Sequence, residues 1–185
     1  MIEKTSQEYT EVMATCKALF EKKTRDYGTA WRILRLPSIT DQIFIKAQRI
    51  RSIQEKGKQR VDDPILDEFI GIINYCIIAL IQMELKDSTS LAMTFEELEP
   101  FYDAASNETF ELLQNKNHDY GEAWREMRIT SIIDIILMKL LRVKQIEDNE
   151  GTTLVSEGVK ANYQDMINYA VFGLVKIGKI GRLKN

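Results

Sequence analysis

The sequence predicts an all-α fold: a helical bundle of about six main helices, built from two tandem three-helix repeats with internal pseudo-twofold symmetry. Three observations carry this. Residues 23–53, moved by 93 positions onto 116–146, give 15 identities in 31 positions, where unrelated stretches share about two at average residue usage. Only three prolines and nine glycines occur in 185 residues, with little period-two alternation of the kind strands need. Apolar residues instead recur at helical steps, as Tyr9, Met13, Cys16, Leu19 and Phe20 do.

Each half is too short to bury its own faces well, so residues 1–185 read as one fused body, with a first repeat over 1–86 and a second over 93–185. The arrangement resembles a homodimer written as one chain, and further homo-oligomerisation is compatible with it. The first helix is expected over about 6–25, with Gly28 stopping it. The second runs over about 38–55, entered through Pro37, with Ser38 as N-cap and Asp41 at the third position of a capping box. A polar loop with Gly57 leads to a third helix over about 63–85, rich in Ile. Residues 86–92 link the halves. The fourth (95–117), fifth (131–148, with Ser131 and Asp134 in the capping places) and sixth (155–179) helices repeat the first three, and the basic tail 178–185 is expected to fray. At Ile73-Asn74-Tyr75 and Ile167-Asn168-Tyr169 the offset becomes 94, so one residue has entered a loop.

Charged residues make up 29% and hydrophobic ones 44%, ordinary for a globular chain. A net charge of -3 and a pI near 5.4 argue against broad nucleic-acid or membrane binding, which needs a basic field. Cys16 and Cys76 match neither a zinc spacing nor a disulfide framework, and the polar first residues show no signal peptide, so the chain reads as cytoplasmic. The longest apolar run, residues 69–80, is interrupted by Asn74 and is too short for a bilayer.

The best-kept stretch, Asp26 to Arg35, returns as Asp119 to Arg128. Its identities are polar, aromatic and glycine rather than aliphatic, which points to a kept site. Gly28 and Gly121 permit a tight backbone, while Arg35 and Arg128 can bind anions. Trp31 and Trp124 are expected in the core, and Tyr27 and Tyr120 in a pocket. His118 is matched by Arg25 and reads as a surface variant. No nucleophile triad or Gly-rich phosphate loop is present.

Counting back eleven, seven and three residues from Asn74 gives Asp63, Asp67 and Gly71; from Asn168 it gives Glu157, Ala161 and Asp165. At about 100° per residue each set spans about 80° of arc. Each repeat thus keeps two acids and loses a different one. Such carboxylates suit Mg²⁺, which takes oxygen ligands and leaves room for water and phosphate; acids early in a helix also favour its dipole. Asp165, expected in mid-helix among apolar neighbours, discriminates between these, since an acid there needs a partner. Lys46 with Arg49, and Lys139 with Arg142, place two cations on one face of each second-type helix. They either pair with the acids internally or hold a polyphosphate.

In combination, Lys-x-x-Asp-Tyr-Gly, Lys-x-x-Arg and acids spaced by four before Asn-Tyr resemble the phage and bacterial family called nucleotide modification associated domain, type one. The likeness covers residues 23–75 and 116–169. The family is similar in pattern to all-α nucleotide pyrophosphohydrolases of the MazG and dimeric dUTPase type, in which helical acids bind Mg²⁺ and products are a nucleoside monophosphate and pyrophosphate. The resemblance implies a nucleotide ligand and a possible Mg²⁺-dependent hydrolase. Asp63, Asp67, Glu157 and Asp165 would serve as metal ligands and catalytic acids. Tyr27, Arg35, Lys46, Arg49, Asn74, Tyr120, Arg128, Lys139, Arg142 and Asn168 would contact the substrate. Gly71 and Ala161 depart from the pattern, so one composite site or a binding-only module are the rivals, beside a structural protein whose polar repeats are internal ion pairs.

Overall fold

The computed structural model describes residues 2–57, 65–151 and 158–178. Among them are six α-helices, α1 (Ile2–Tyr27), α2 (Leu36–Lys56), α3 (Ile65–Glu84), α4 (Phe95–Tyr120), α5 (Ile129–Asp148) and α6 (Val159–Ile177), and no strand. Short 3₁₀ turns, Ala30–Ile33 and Ala123–Glu126, stand at the same place in each repeat. The all-α, two-repeat expectation holds. The expected loop after Gly57, the start of the sixth helix at 155 and the tail beyond Gly178 fall largely outside the described residues.

α3 and α6 form the centre. Phe69, Ile73, Cys76 and Ile77 of α3, with Met166, Ile167, Ala170 and Val171 of α6, are buried. Gly173 makes the close approach possible: a Cβ there would stand 2.6 Å from the Phe69 ring. α3 is longer than its apolar run, long and apolar enough by composition to cross a membrane, yet most of it lies inside the molecule against α2, α4 and α6.

α2 and α5 pack side by side, antiparallel, and show the pseudo-twofold in single residues. Lys144 pairs with Asp41 at 2.9 Å and Arg51 with Asp134 at 3.6 Å; the second pair is the first with the repeats exchanged. This corrects the expected capping boxes. Arg35 and Arg128 are the N-caps, with no side-chain bond, because Pro37 needs no N–H partner in the first turn and lets α2 begin at Leu36. Ser38 and Ser131 are inside the helices, and Asp41 and Asp134 reach across to the neighbouring helix. A capping box does occur at α4, where the Glu97 N–H donates to Thr94 Oγ1 at 3.2 Å and the Thr94 N–H to Glu97 Oε2 at 2.8 Å.

Gly28 (φ +74°) and Gly121 (φ +58°) end α1 and α4 in the left-handed region, each N–H donating four residues back, to Thr24 O and Asn117 O. The following turn fastens the repeats together. Arg32 donates to Ser90 O at 3.1 Å and Ser88 O at 3.0 Å, while Thr29 Oγ1 donates to Leu91 O at 2.7 Å, all in the segment leading into α4. Its counterpart Arg125 binds Thr5 Oγ1 at 2.7 Å and Glu8 at 2.8 Å, at the start of α1. Each motif arginine therefore holds the leading segment of the other repeat.

Glu147 of α5 lies half-buried beside the Thr40 hydroxyl, 2.8 Å away, and the Tyr163 hydroxyl, 3.4 Å away. Burial lifts its carboxyl above the usual range, against the lowering effect of those hydrogen bonds. The folded form thus holds the proton more tightly than the unfolded chain, so the contribution of Glu147 to stability is full below the unfolded pKa and is lost as pH rises through the folded one. Glu147→Gln is therefore expected to be more stable than the wild type at pH 7, with the difference vanishing near about pH 4; denaturant titrations at the two pH values read this directly.

Candidate functional site

A cavity of about 450 Å³ opens in the first half. Lys23, Thr24 and Tyr27 of α1 line one side, Gly28 and Trp31 the turn, Lys46 of α2 another side, and Asp67, Glu68, Gly71, Asn74 and Tyr75 of α3 the floor. The motif turn places Trp31 and Tyr27, as its repetition implied. Tyr27 is 65% exposed, and Trp31 is half-buried with a tilted contact to Phe20 at 6.5 Å.

The second half keeps most of the lining residues and differs chiefly on its third helix, where Ala161, Asn162, Asp165 and Phe172 replace Asp67, Glu68, Gly71 and Ile78. Phe172 replaces Ile78 and lies flat on Trp124, with centroids 4.3 Å apart and planes at 4°. The Arg125 guanidinium is 4.3 Å from the same ring, and two groups so close must take opposite faces. Trp124 is consequently core, as expected; Trp31 is not. Ala161 and Asn162 stand where the first half has Asp67 and Glu68, and Asn162 bonds to Gly158 O at 2.9 Å. Asp165, buried at 5% exposure, accepts from Lys116 at 2.5 Å and Lys139 at 2.8 Å. This is the internal ion pair that the sequence left open, and it accounts for an acid in mid-helix.

The other expected site residues divide clearly. Asp67 is exposed on the cavity wall. Asp63 and Glu157 lie outside the described residues. Arg49 pairs with Glu68, and Lys46 is 3.7 Å from the same carboxylate. Arg142 donates to Gln145 at 3.3 Å. Arg35 and Arg128 are exposed at the N-caps of α2 and α5, and neither lines the cavity, because their backbones have already turned outward to start a helix. Tyr120 is 73% exposed beside the filled half.

Asn74 and Asn168, expected to contact substrate, have their side chains engaged elsewhere. Asn74 Nδ2 donates to Cys16 O at 3.0 Å and its Oδ1 accepts from the Tyr102 hydroxyl at 2.8 Å, tying α1, α3 and α4. The mirrored set is looser: Asn168 Nδ2 is 3.4 Å from Thr109 O, and Asn168 Oδ1 and the Tyr9 hydroxyl, the counterparts of the second bond, are both buried without a partner. Burial raises the thiols of Cys16 and Cys76, which excludes them as nucleophiles at neutral pH. Burial and the nearby Tyr27 likewise raise the hydroxyl of Tyr75.

Lys23, Glu68 and Tyr75 were missed from sequence. Lys23 and Tyr75 could have been found, since Lys116 and Tyr169 repeat them. Glu68 has no repeat equivalent and lies off the arc on which the acids were counted.

For Mg²⁺, the fit is incomplete. Among the described residues no group of three or more His, Cys, Asp or Glu side chains could hold a metal. Asp165 already faces two ammonium groups, which would repel a cation, and Glu68 is held by Arg49. Among the described residues, Asp67 alone presents an uncommitted carboxylate to the cavity.

An all-α protein with a duplicated three-helix unit, one copy open and one filled by its own side chains, is the class these features define. The chain matches the family model described as nucleotide modification associated domain 1 over residues 23–83 and again over 116–177, and it belongs to that family. Both matches run from the cavity lysine, Lys23 or Lys116, through the third helix of the repeat. Comparison with curated proteins and with solved structures finds no match.

Asn74→Ala is expected to cost about 2 kcal/mol, because it leaves the buried Tyr102 hydroxyl without its acceptor and removes the tie to Cys16 O, and Asn168→Ala about half as much. Shifts in urea midpoint at constant slope compare the two.

Proposed function

We propose that the first-half cavity binds a nucleotide. What carries the reading is the pairing, in one cavity, of an aromatic face left open at Trp31 with two cations, Lys23 and Lys46, in a chain whose family is associated with nucleotide modification. The cavity's size falls in the usual range of ligand sites, about 300–1,000 Å³. Trp31, Tyr27 and Tyr75 offer stacking surfaces for a base, worth about 1–3 kcal/mol each where a base stacks fully. Lysine ammonium groups suit phosphate as point charges.

Hydrolysis of the phosphoanhydride is the finer proposal, and it rests on Asp67, whose carboxylate is exposed on the cavity wall. Mg²⁺, if bound there, would supply charge neutralisation at the phosphates. Asp67 would hold it, and Lys46 would orient the phosphate chain.

A panel of nucleotides titrated into the purified protein tests both statements. At least one is expected to raise the melting temperature saturably, and Lys23→Ala with Lys46→Ala to abolish the shift. If no nucleotide in the panel shifts the melting temperature, the binding reading is wrong. Pyrophosphate release in the same samples with Mg²⁺ checks the finer proposal; saturable binding with no release refutes hydrolysis and leaves binding standing.

A further inference from the structure

The two halves differ in what meets their paired lysines. In the second half, Asp165 Oδ1 is 2.5 Å from Lys116 Nζ and Oδ2 is 2.8 Å from Lys139 Nζ. Carried into the first half, the same places are Gly71, Lys23 and Lys46. Both lysines are kept and the carboxylate is removed. Lys46 leans into the vacated place: a Cβ on Gly71 would be 2.8 Å from its Cδ and 3.1 Å from its Nζ. Lys23, exposed at the cavity, has no acidic partner among the described residues.

We infer that the first-half cavity takes a phosphoryl group of its ligand between Lys23 and Lys46, over Gly71, where Asp165 supplies a carboxylate in the second half. The inference rests on the nucleotide reading for the rest of the ligand, but not for the anion. Lys46 is free to turn to it. Its present contact with Glu68 is long, at 3.7 Å, and Arg49 keeps Glu68 paired if Lys46 leaves. Two ammonium groups also match the charge of a phosphate better than that of one carboxylate.

The correspondence extends to the base. Phe172 lies on Trp124 as a base would lie on Trp31, and the cavity residue at that position is the smaller Ile78. Asp165 and Phe172 are seven residues apart on α6, about 10 Å along a helix. A ring on Trp31 and an anion at Gly71 would be separated similarly, which calls for a phosphate chain rather than a single phosphate. A nucleoside di- or triphosphate is the class of ligand this selects.

Gly71→Asp tests the inference by placing an internal carboxylate in the open half. Gly71 is in ordinary helical backbone and the atoms nearest a new Cβ belong to the flexible end of Lys46, so the fold is expected to survive, as circular dichroism would verify. Calorimetric titration of the wild type with nucleoside mono- and triphosphates and with inorganic pyrophosphate should show the triphosphate binding more tightly than the monophosphate. Gly71→Asp should weaken triphosphate and pyrophosphate by about tenfold or more and remove that preference. Asp165→Gly is the converse: its melting temperature should rise with pyrophosphate more than the wild type's, because a second pair of lysines has lost its anion. Unchanged triphosphate and pyrophosphate affinity in folded Gly71→Asp overturns the inference while nucleotide binding stands. Pyrophosphate binding that Gly71→Asp abolishes, with no nucleotide bound by either protein, supports the anion place and defeats the nucleotide reading. If the wild type binds neither, both are refuted.

Discussion

Two lysines on the flank of a largely buried helix repel one another, and an anion between them relieves this. This constraint acts twice in the chain, at Lys116 with Lys139 and at Lys23 with Lys46, and is met differently each time. In the second half the carboxylate of Asp165 meets it from within, and the surroundings follow: Ala161 and Asn162 carry no charge, and Phe172 closes over Trp124. In the first half Gly71 offers no anion. Lys46 leans over it toward Glu68, which Arg49 shares, and the uncovered space remains as the cavity.

The motif that repeats best has two roles. Its glycine, tyrosine and tryptophan shape the cavity mouth in the first half. Its arginines do not line the cavity; Arg32 binds the segment leading into α4, and Arg125 binds the first turns of α1. Identity between copies here records a symmetric fastening as much as a site, so the halves depend on each other at both ends. The site's character lies instead where the copies differ, on α3 and α6.

Much of the architecture was legible in the sequence. The 93-residue offset and helical periodicity located all six helices, since duplication makes each element testify twice. The starts of α2 and α5 were misread because Ser-x-x-Asp fits a capping box locally, while the structure uses those acids between helices, a tertiary choice that spacing on one helix cannot show. Thr94 with Glu97 fits the same pattern and does cap, yet no apolar repeat drew attention to it. Spacing singled out Gly71, Ala161 and Asp165 as places where the repeats diverge. It could not say that Asp165 points at lysines, because Lys116 and Lys139 lie 49 and 26 residues away in the chain and converge only in the packed bundle. Asn74 and Asn168 were expected at the substrate through the Asn-Tyr part of the family resemblance; their side chains bond across helices to Cys16 O, Tyr102 and Thr109 O, partners that spacing on one helix does not reveal.

Gly71 gives the strongest physical reason to regard the open half as the functional one. A glycine in the interior of a central helix costs about 1 kcal/mol against alanine and gives up packing as well. Asp165 at the equivalent place shows that this backbone accepts a side chain, and the space above Gly71 is held only by a lysine's flexible end. No turn, positive φ or close backbone contact requires the glycine; the end of Lys46 does, and in the proposed reading it yields that room to the ligand. Local rules of stability are expected to fail mainly at functional sites: the interior glycine of α6, Gly173, lets the Phe69 ring pack against it, whereas the atoms nearest Gly71 belong to the flexible end of a lysine.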